Sequence, residues 1–276
     1  MSRSLVAFLI FCLLLVIVTG GVVWYVGPTL AGIVVDEAKR ERPYYLLQLL
    51  PARAAEPGAA ASYRSRFAEL AAKDGGRVLW LGGKVEVMEG SVLLDIAGLQ
   101  LVEFPTGADL VQMFTGRAFR DLENDVGAAL PRHLGTSVAP RELAPDAATV
   151  AVLYRAETED GNPPLGKPGE RGWLALLPSY HGEVRWDAPV SSIAGRSPWN
   201  RVLLVQFPDR AAAEGWLADP ITATERAIAG KAVDEMVVLS VQPSQAAPRW
   251  NSRTVRNSSN SPRLGYVDAS ISPIGR

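Results

Sequence analysis

The chain has one cysteine in 276 residues, Cys12, and it stands inside an apolar N-terminal run. Beyond that run there is no thiol for a disulfide, a thiolate metal site or a cysteine nucleophile. Histidine is almost as scarce. His133 and His181 are the only two, and neither belongs to an H-x-x-x-H or H-E-x-x-H pattern or stands among clustered carboxylates, so no metal site is expected. Charge of one sign is missing too: 28 basic against 29 acidic residues give a net charge of -1, without the basic surplus of nucleic-acid binders, and nucleic acid is not an expected partner. No G-x-S-x-G, phosphate-loop or dinucleotide fingerprint occurs. Gly82-Gly83-Lys84 lacks the preceding glycine and the following hydroxyl of a phosphate loop and reads as a turn. No cofactor is expected.

What the chain does have, first, is an uncharged apolar run from Leu5 to Val26. At 1.5 Å per residue it is long enough to cross a hydrocarbon core of roughly 30 Å, with Trp24 and Tyr25 placed for an interfacial belt and Pro28 where a helix can end. Residues 1–35 are therefore expected to be a signal anchor that tethers the chain to a membrane. A cleaved signal peptide ending at Gly20 is the alternative, which the continuing apolar run disfavours. Lys39, Arg40 and Arg42 after the run argue for a cytoplasmic C-terminal part, while the short basic N-terminus before a long folded part has the signal-anchor layout. The second pattern is followed here, with the folded part on the extracytoplasmic, periplasmic side.

With 48% hydrophobic and 21% charged residues the remainder can bury a core, and it repeats itself. Leu101-Val102-Glu103-Phe104-Pro105 recurs as Leu204-Val205-Gln206-Phe207-Pro208, and Gly76-Arg77-Val78-Leu79-Trp80 aligns with Gly182-Glu183-Val184-Arg185-Trp186. Each copy reads strand, helix, strand, strand, helix, strand, the ferredoxin-like βαββαβ order of an α+β fold. The first copy, within 36–140, has strands at 44–50, 77–82, 99–104 and 136–140 and helices at 59–73 and 108–133, the latter broken near Gly116. The second, within 149–242, has strands at 150–155, 183–186, 201–207 and 236–241 and helices at 170–180 and 211–229, broken at Pro220. Residues 141–148 link the copies. Residues 243–276, rich in Ser, Asn, Pro and Arg, are expected to be a disordered basic tail. Val202 to Val205 are apolar on both strand faces, so helices must cover one face and the sister copy's sheet the other.

The glycine pair and strand Gly75-Gly76-Arg77-Val78-Leu79, the strand ending Val102-Glu103-Phe104-Pro105 and the following Phe114 and Phe119 resemble the dimeric α/β-barrel superfamily. Within it they resemble the uncharacterised domain-of-unknown-function 1330 family, over about Tyr44 to Pro140. The second copy departs from the pattern: His181, Glu183 and Gln206 replace Gly75, Arg77 and Glu103. The resemblance implies that the two copies close one pseudo-dimeric barrel. It also makes His133 the candidate axial ligand for haem, which some superfamily members bind. The plainer reading of His133 is a partly charged imidazole at a helix end.

Glu103 in an apolar strand is a candidate general base, with Arg77 as its ion-pair partner. Trp80 and Trp186, with Tyr63 and Trp173, are candidates to line a cleft. The candidate pocket is therefore Arg77, Trp80, Glu103 and His181, in the first copy if only one works. The expected function is a membrane-tethered, non-catalytic module for a small apolar ligand or a protein partner. The alternative is a cofactor-light enzyme of monooxygenase or isomerase type.

Overall fold

In the computed structural model, residues 42–51, 59–90, 96–126, 131–156, 172–194 and 197–243 are described. The expected anchor lies outside them, as does the expected tail after Pro243, which ends the last strand, and among the described residues no helix is long and apolar enough to cross a membrane.

The first strand shows how the fold is organised. In β1 (Tyr44–Pro51) every residue from Tyr45 onward is buried, so both faces of the strand are covered. Tyr45, Leu47 and Leu49 point into one apolar cluster, Leu46 and Leu50 into another, as a period of two requires. The second cluster is closed by α1 (Ala59–Lys73), whose Tyr63, Phe67 and Ala71 recur at helical spacing, and by α2 (Gly107–Thr115) and α3 (Arg117–Val126). Strands β2 (Arg77–Glu89), β3 (Ile96–Phe104) and β4 (Arg132–Thr136) complete the first half in the order β2-β3-β1-β4.

The second half repeats this layout. It contains β5 (Ala148–Arg155), β6 (Glu183–Pro189), the short β7 (Ser191–Ala194), β8 (Arg201–Phe207), α4 (Arg210–Ala218), α5 (Pro220–Ala232) and β9 (Asp234–Pro243). Its four main strands lie in the order β6-β8-β5-β9, and all pairings are antiparallel. The helix starts also correspond: Thr106 caps α2 by accepting from the Asp109 amide, and Asp209 caps α4 by accepting from that of Ala212.

Two long, bent strands join the halves into one sheet. The start of β2 pairs with β3 and its end with β9. On the other side β6 pairs with β8, the chain turns at Val190, and β7 pairs with β4. The segment after β4 lines the remaining edge: the Arg141 amide donates to the Arg185 carbonyl, and Trp186 Nε1 donates to the Val138 carbonyl. The antiparallel sheet is thereby nearly closed into a barrel.

Side chains fill the inside of that barrel. Leu47, Trp80, Leu101, Trp186, Leu204 and Leu239 meet there, joined by Leu143 from the segment between the halves. Gln206 holds that segment in place, accepting from the Ala144 amide at 2.9 Å and donating to the Ala144 carbonyl at 3.0 Å. Gln206→Leu leaves both backbone groups without these bonds and is expected to cost about 2–4 kcal/mol, read as a lower midpoint in urea with an unchanged slope.

Three expected elements differ, the first being the strand placed over 136–140, which shares only Thr136 with the observed β4. The helix placed over 108–133 ends at Val126, and His133 lies in β4 instead of at a helix terminus. Pro131 cannot continue a helix, and residues 132–136 supply the sheet's fourth strand by pairing with β1. The helix placed over 170–180 is, in its described part, a set of turns ending in a 3-10 turn, Leu177–Tyr180. Gly172 at φ 112° and Pro178, whose ring would strike the carbonyl four residues back, both oppose an α-helix there.

Candidate functional site

The sequence-derived candidates separate. Arg77 and Glu103 face each other across β2 and β3 and form an ion pair, with Tyr45 Oη donating to the other carboxylate oxygen at 3.3 Å. Burial, and then the Glu103 carboxylate, push the Tyr45 phenol up, against the opposing pull of Arg77. Arg77 is 72% exposed, so the pair stabilises the strand ends only slightly. Trp80 lies in the packed barrel interior. His181 is exposed in the second half, in the left-handed region at φ 54° where the 3-10 turn ends. Nor do the four aromatics share a cleft. Trp80 and Trp186 are inside the barrel, while Tyr63 and Trp173 belong to two separate cores under the helices.

Polar chemistry gathers elsewhere, on the face of the first half's sheet that looks toward its helices. Gln48 in β1 stands directly opposite Gln100 in β3 and His133 in β4. All three are at most 1% exposed. Tyr63 reaches them from α1, its hydroxyl 3.3 Å from His133 Nε2. Phe67, Phe114 and Phe119 surround the imidazole at centroid distances of 6.1, 5.0 and 6.1 Å. Both amide atoms of Gln100, Gln48 Oε1 and His133 Nδ1 lack a hydrogen-bond partner, and the only polar neighbour of the Gln48 amide nitrogen is the Tyr63 oxygen, on which Gln48 acts as a hydrogen-bond donor. Buried polar groups are nearly always satisfied, and each that is not costs about 1–3 kcal/mol. A cluster of such atoms therefore needs an explanation.

The second half shows that the fold does not require them. Leu47 opposes Leu101 and Leu134, and in the same register Ala151 opposes Leu204 and Leu239. One residue further on, Gln48, Gln100 and His133 correspond to Val152, Leu203 and Val238, all wholly buried among hydrocarbon. The same sheet is thus built once with a polar centre and once without.

Electrostatics define what the centre can do. Complete burial pushes His133 down to about 3, so the imidazole is neutral near pH 7. Burial, and then the nearby Glu123 carboxylate, hold the Tyr63 phenol above its ordinary range, with Gln48 opposing. The site therefore offers uncharged donors and acceptors within aromatic walls. A base titrating near 3 is mismatched to proton abstraction at neutral pH, which favours hydrogen bonding over general-base work. It also does not fit an axial haem ligand, since Nε2 already faces Tyr63 and three phenyl rings enclose the imidazole. Among the described residues no group of three or more metal-ligating side chains converges.

The sequence reading missed the glutamines because each sits singly in an apolar strand, and their approach depends on register. The available signal was the comparison of copies, in which Gln48 and Gln100 align with Val152 and Leu203.

No family model matches the chain, and no curated protein matches it. Solved structures do. An anthrone oxidase-like protein aligns with a TM-score of 0.50 at 16% identity, over 75% of this chain and 93% of its own. A protein of unknown function from Rhodopseudomonas palustris aligns with 42% of this chain and 97% of its own, at 22% identity and a TM-score of 0.32. A putative monooxygenase from Fusobacterium nucleatum covers 73% and 92%, at 10% identity and a TM-score of 0.41. At such identities the likeness is one of fold alone, an α+β fold with a nearly closed antiparallel sheet, consistent with a dimeric α/β barrel.

Proposed function

We propose that the protein is a ligand-binding module whose working half is the first. Its ligand is a small, uncharged or partly charged planar compound that enters between α1, α3 and the sheet and hydrogen-bonds to Gln48, Gln100 and His133. The observation that carries this reading is the buried polar row Gln48, Gln100 and His133 in the first half, with unpartnered atoms on each, where the second half has Val152, Leu203 and Val238. Such a core is less stable than an apolar one, and a ligand supplies the missing partners. We take the halves to be tandem copies of one domain, 36–140 and 149–242, the second retained as the partner that completes the barrel. The uncharged run Leu5 to Val26 supports a membrane tether, with the barrel on the periplasmic side.

The test uses full-length protein in detergent and 2-naphthol as probe, followed by thermal shift and tryptophan fluorescence. The wild type is expected to be stabilised by the probe. The variant Gln48→Val, Gln100→Leu, His133→Val, which copies the second half, is expected to fold and to lose the response. An equal response in both proteins, or none in either, would sink the proposal.

A second reading, oxidation or isomerisation of such a ligand, draws on the Tyr63–His133 hydrogen bond, through which a proton can move, and on the names of the anthrone oxidase-like and monooxygenase neighbours. Oxygen uptake or a new absorbance band with a hydroxyarene substrate would favour it; their absence would leave binding as the function.

A further inference from the structure

The polar row does not end at Gln100. Arg64 follows Tyr63 on α1 and is half-buried, and burial alone accounts for the downward shift of its guanidinium, with no carboxylate offsetting it. It forms no ion pair or hydrogen bond among the described residues. Its Nη1 lies over β3 at Gly98: a Cβ there would come within 3.6 Å of it, and within 3.0 and 3.4 Å of the carbonyl oxygens of Gly82 and Gly83. Gly98 pairs with Leu50, which points to the helix side, so Gly98 and Gln100 share that face about 7 Å apart along the strand. A cation, a bare glycine floor, two amides and the Tyr63–His133 pair therefore succeed one another from a half-exposed rim to the buried centre.

The other flank has the opposite character. The strands of the first half place α1 and α3 antiparallel, with Phe67 6.2 Å from Phe119. One turn further in the same direction come Tyr63 on α1 and Glu123 on α3, and Glu123 acts on the Tyr63 phenol. Glu123 is itself raised by burial. An anion is favoured at the Arg64 end and disfavoured at the Glu123 end.

We propose that the site takes an aromatic carboxylate, its carboxylate held by Arg64 on the half-exposed side of the guanidinium and its ring and ring oxygen directed toward Gln100, Gln48 and His133. Guanidinium and carboxylate match as a two-pronged pair, and partial burial weakens screening by water. This inference rests on the ligand-site reading above.

The experiment is calorimetric titration of full-length protein with 3-hydroxy-2-naphthoate and with 2-naphthol, which share a ring system and differ by the carboxylate. Wild type is expected to bind the naphthoate about tenfold or more tightly than the naphthol. Arg64→Gln is expected to erase that preference while still binding 2-naphthol, which shows that the variant's site is intact, and Arg64→Lys to restore part of it. Equal affinities in the wild type, or a preference that survives in Arg64→Gln, would overturn the role of Arg64 and leave the ligand site standing. Failure of both compounds to bind the wild type would overturn both proposals.

Discussion

The double variant Gln48→Leu, Gln100→Leu should melt on the order of 5–10 °C above the wild type in the absence of ligand. Most core substitutions destabilise, so the sign of this expectation is its content. Both amides are wholly buried, Gln100 has no partner for either polar atom, and Gln48 has only the Tyr63 oxygen for its nitrogen. Desolvation of each amide costs about 1–3 kcal/mol with at most one compensating bond, and leucine of similar length removes that cost while adding hydrocarbon to a core already made of Leu46, Leu50, Val102 and Phe104. For roughly 200 ordered residues each kcal/mol corresponds to about 2–4 °C. The second half carries a leucine at the place of Gln100, Leu203, so the sheet accommodates that side chain. A calorimetric midpoint equal to or below that of the wild type would mean that the amides are already satisfied, and the case for a ligand would lose its main support. A rise accompanied by loss of probe binding would show stability exchanged for function, the usual signature of a binding site in a core.

How far the sequence discloses this molecule depends on the range of the interactions concerned. Strand β8 is legible at both ends, because Val202 to Val205 form an apolar run bounded by turn residues. The helix at 59–73 is equally clear from Tyr63, Phe67 and Leu70 at helical spacing. The extension of β2 to Glu89 is not, since its second part pairs with β9, some 150 residues away in the chain, and half of its outer residues are exposed. His133 was read into a helix because 108–126 is helical in pattern. Its true place is fixed by pairing with β1, which no local window reports. The candidate pocket suffered for the same reason. Arg77 and Glu103 are cross-strand neighbours and their pairing can be anticipated, but which face of a strand looks into the barrel and which toward the helices follows from closure of the whole sheet. Trp80 was on the wrong side of that division for a site shared with the helices. The difference in polarity between the two halves, by contrast, can be read by aligning them, since Gln48 and Gln100 fall opposite Val152 and Leu203. The sequence reading points to the first half on Glu103 and Arg77, whereas Gln100 lies three residues before Glu103 in the same strand and Gln48 on the strand beside it.

His133 gives the sharpest measurement of whether the polar centre is truly enclosed, through the pH dependence of stability. Its native pKa is pushed down to about 3 by burial, against 6.5 for an unconstrained histidine. Above pH 6.5 neither the native nor the unfolded state binds a proton at this group, and stability does not depend on it. Between 6.5 and 3 the unfolded state binds the proton and the native state does not, so stability falls as pH falls, by about 1.4 kcal/mol per pH unit. Urea titrations of wild type and His133→Phe should therefore give unfolding free energies that run parallel above pH 6.5. By pH 4.5 the gap between them should have changed by about 2–3 kcal/mol in favour of the variant, whatever its offset at neutral pH. Carboxylates that titrate in this range are common to both proteins and cancel in the difference. Curves that stay parallel down to pH 4.5 would mean that water or a counter-charge reaches the imidazole in the native state. The centre would then be a wet cleft, open to charged ligands along its whole length, and the polarity from Arg64 at the rim to a neutral interior would have to be abandoned. Divergence on the expected scale instead fixes His133 as a neutral hydrogen-bonding group in the working range of pH, and confines the charge of any ligand to the Arg64 end.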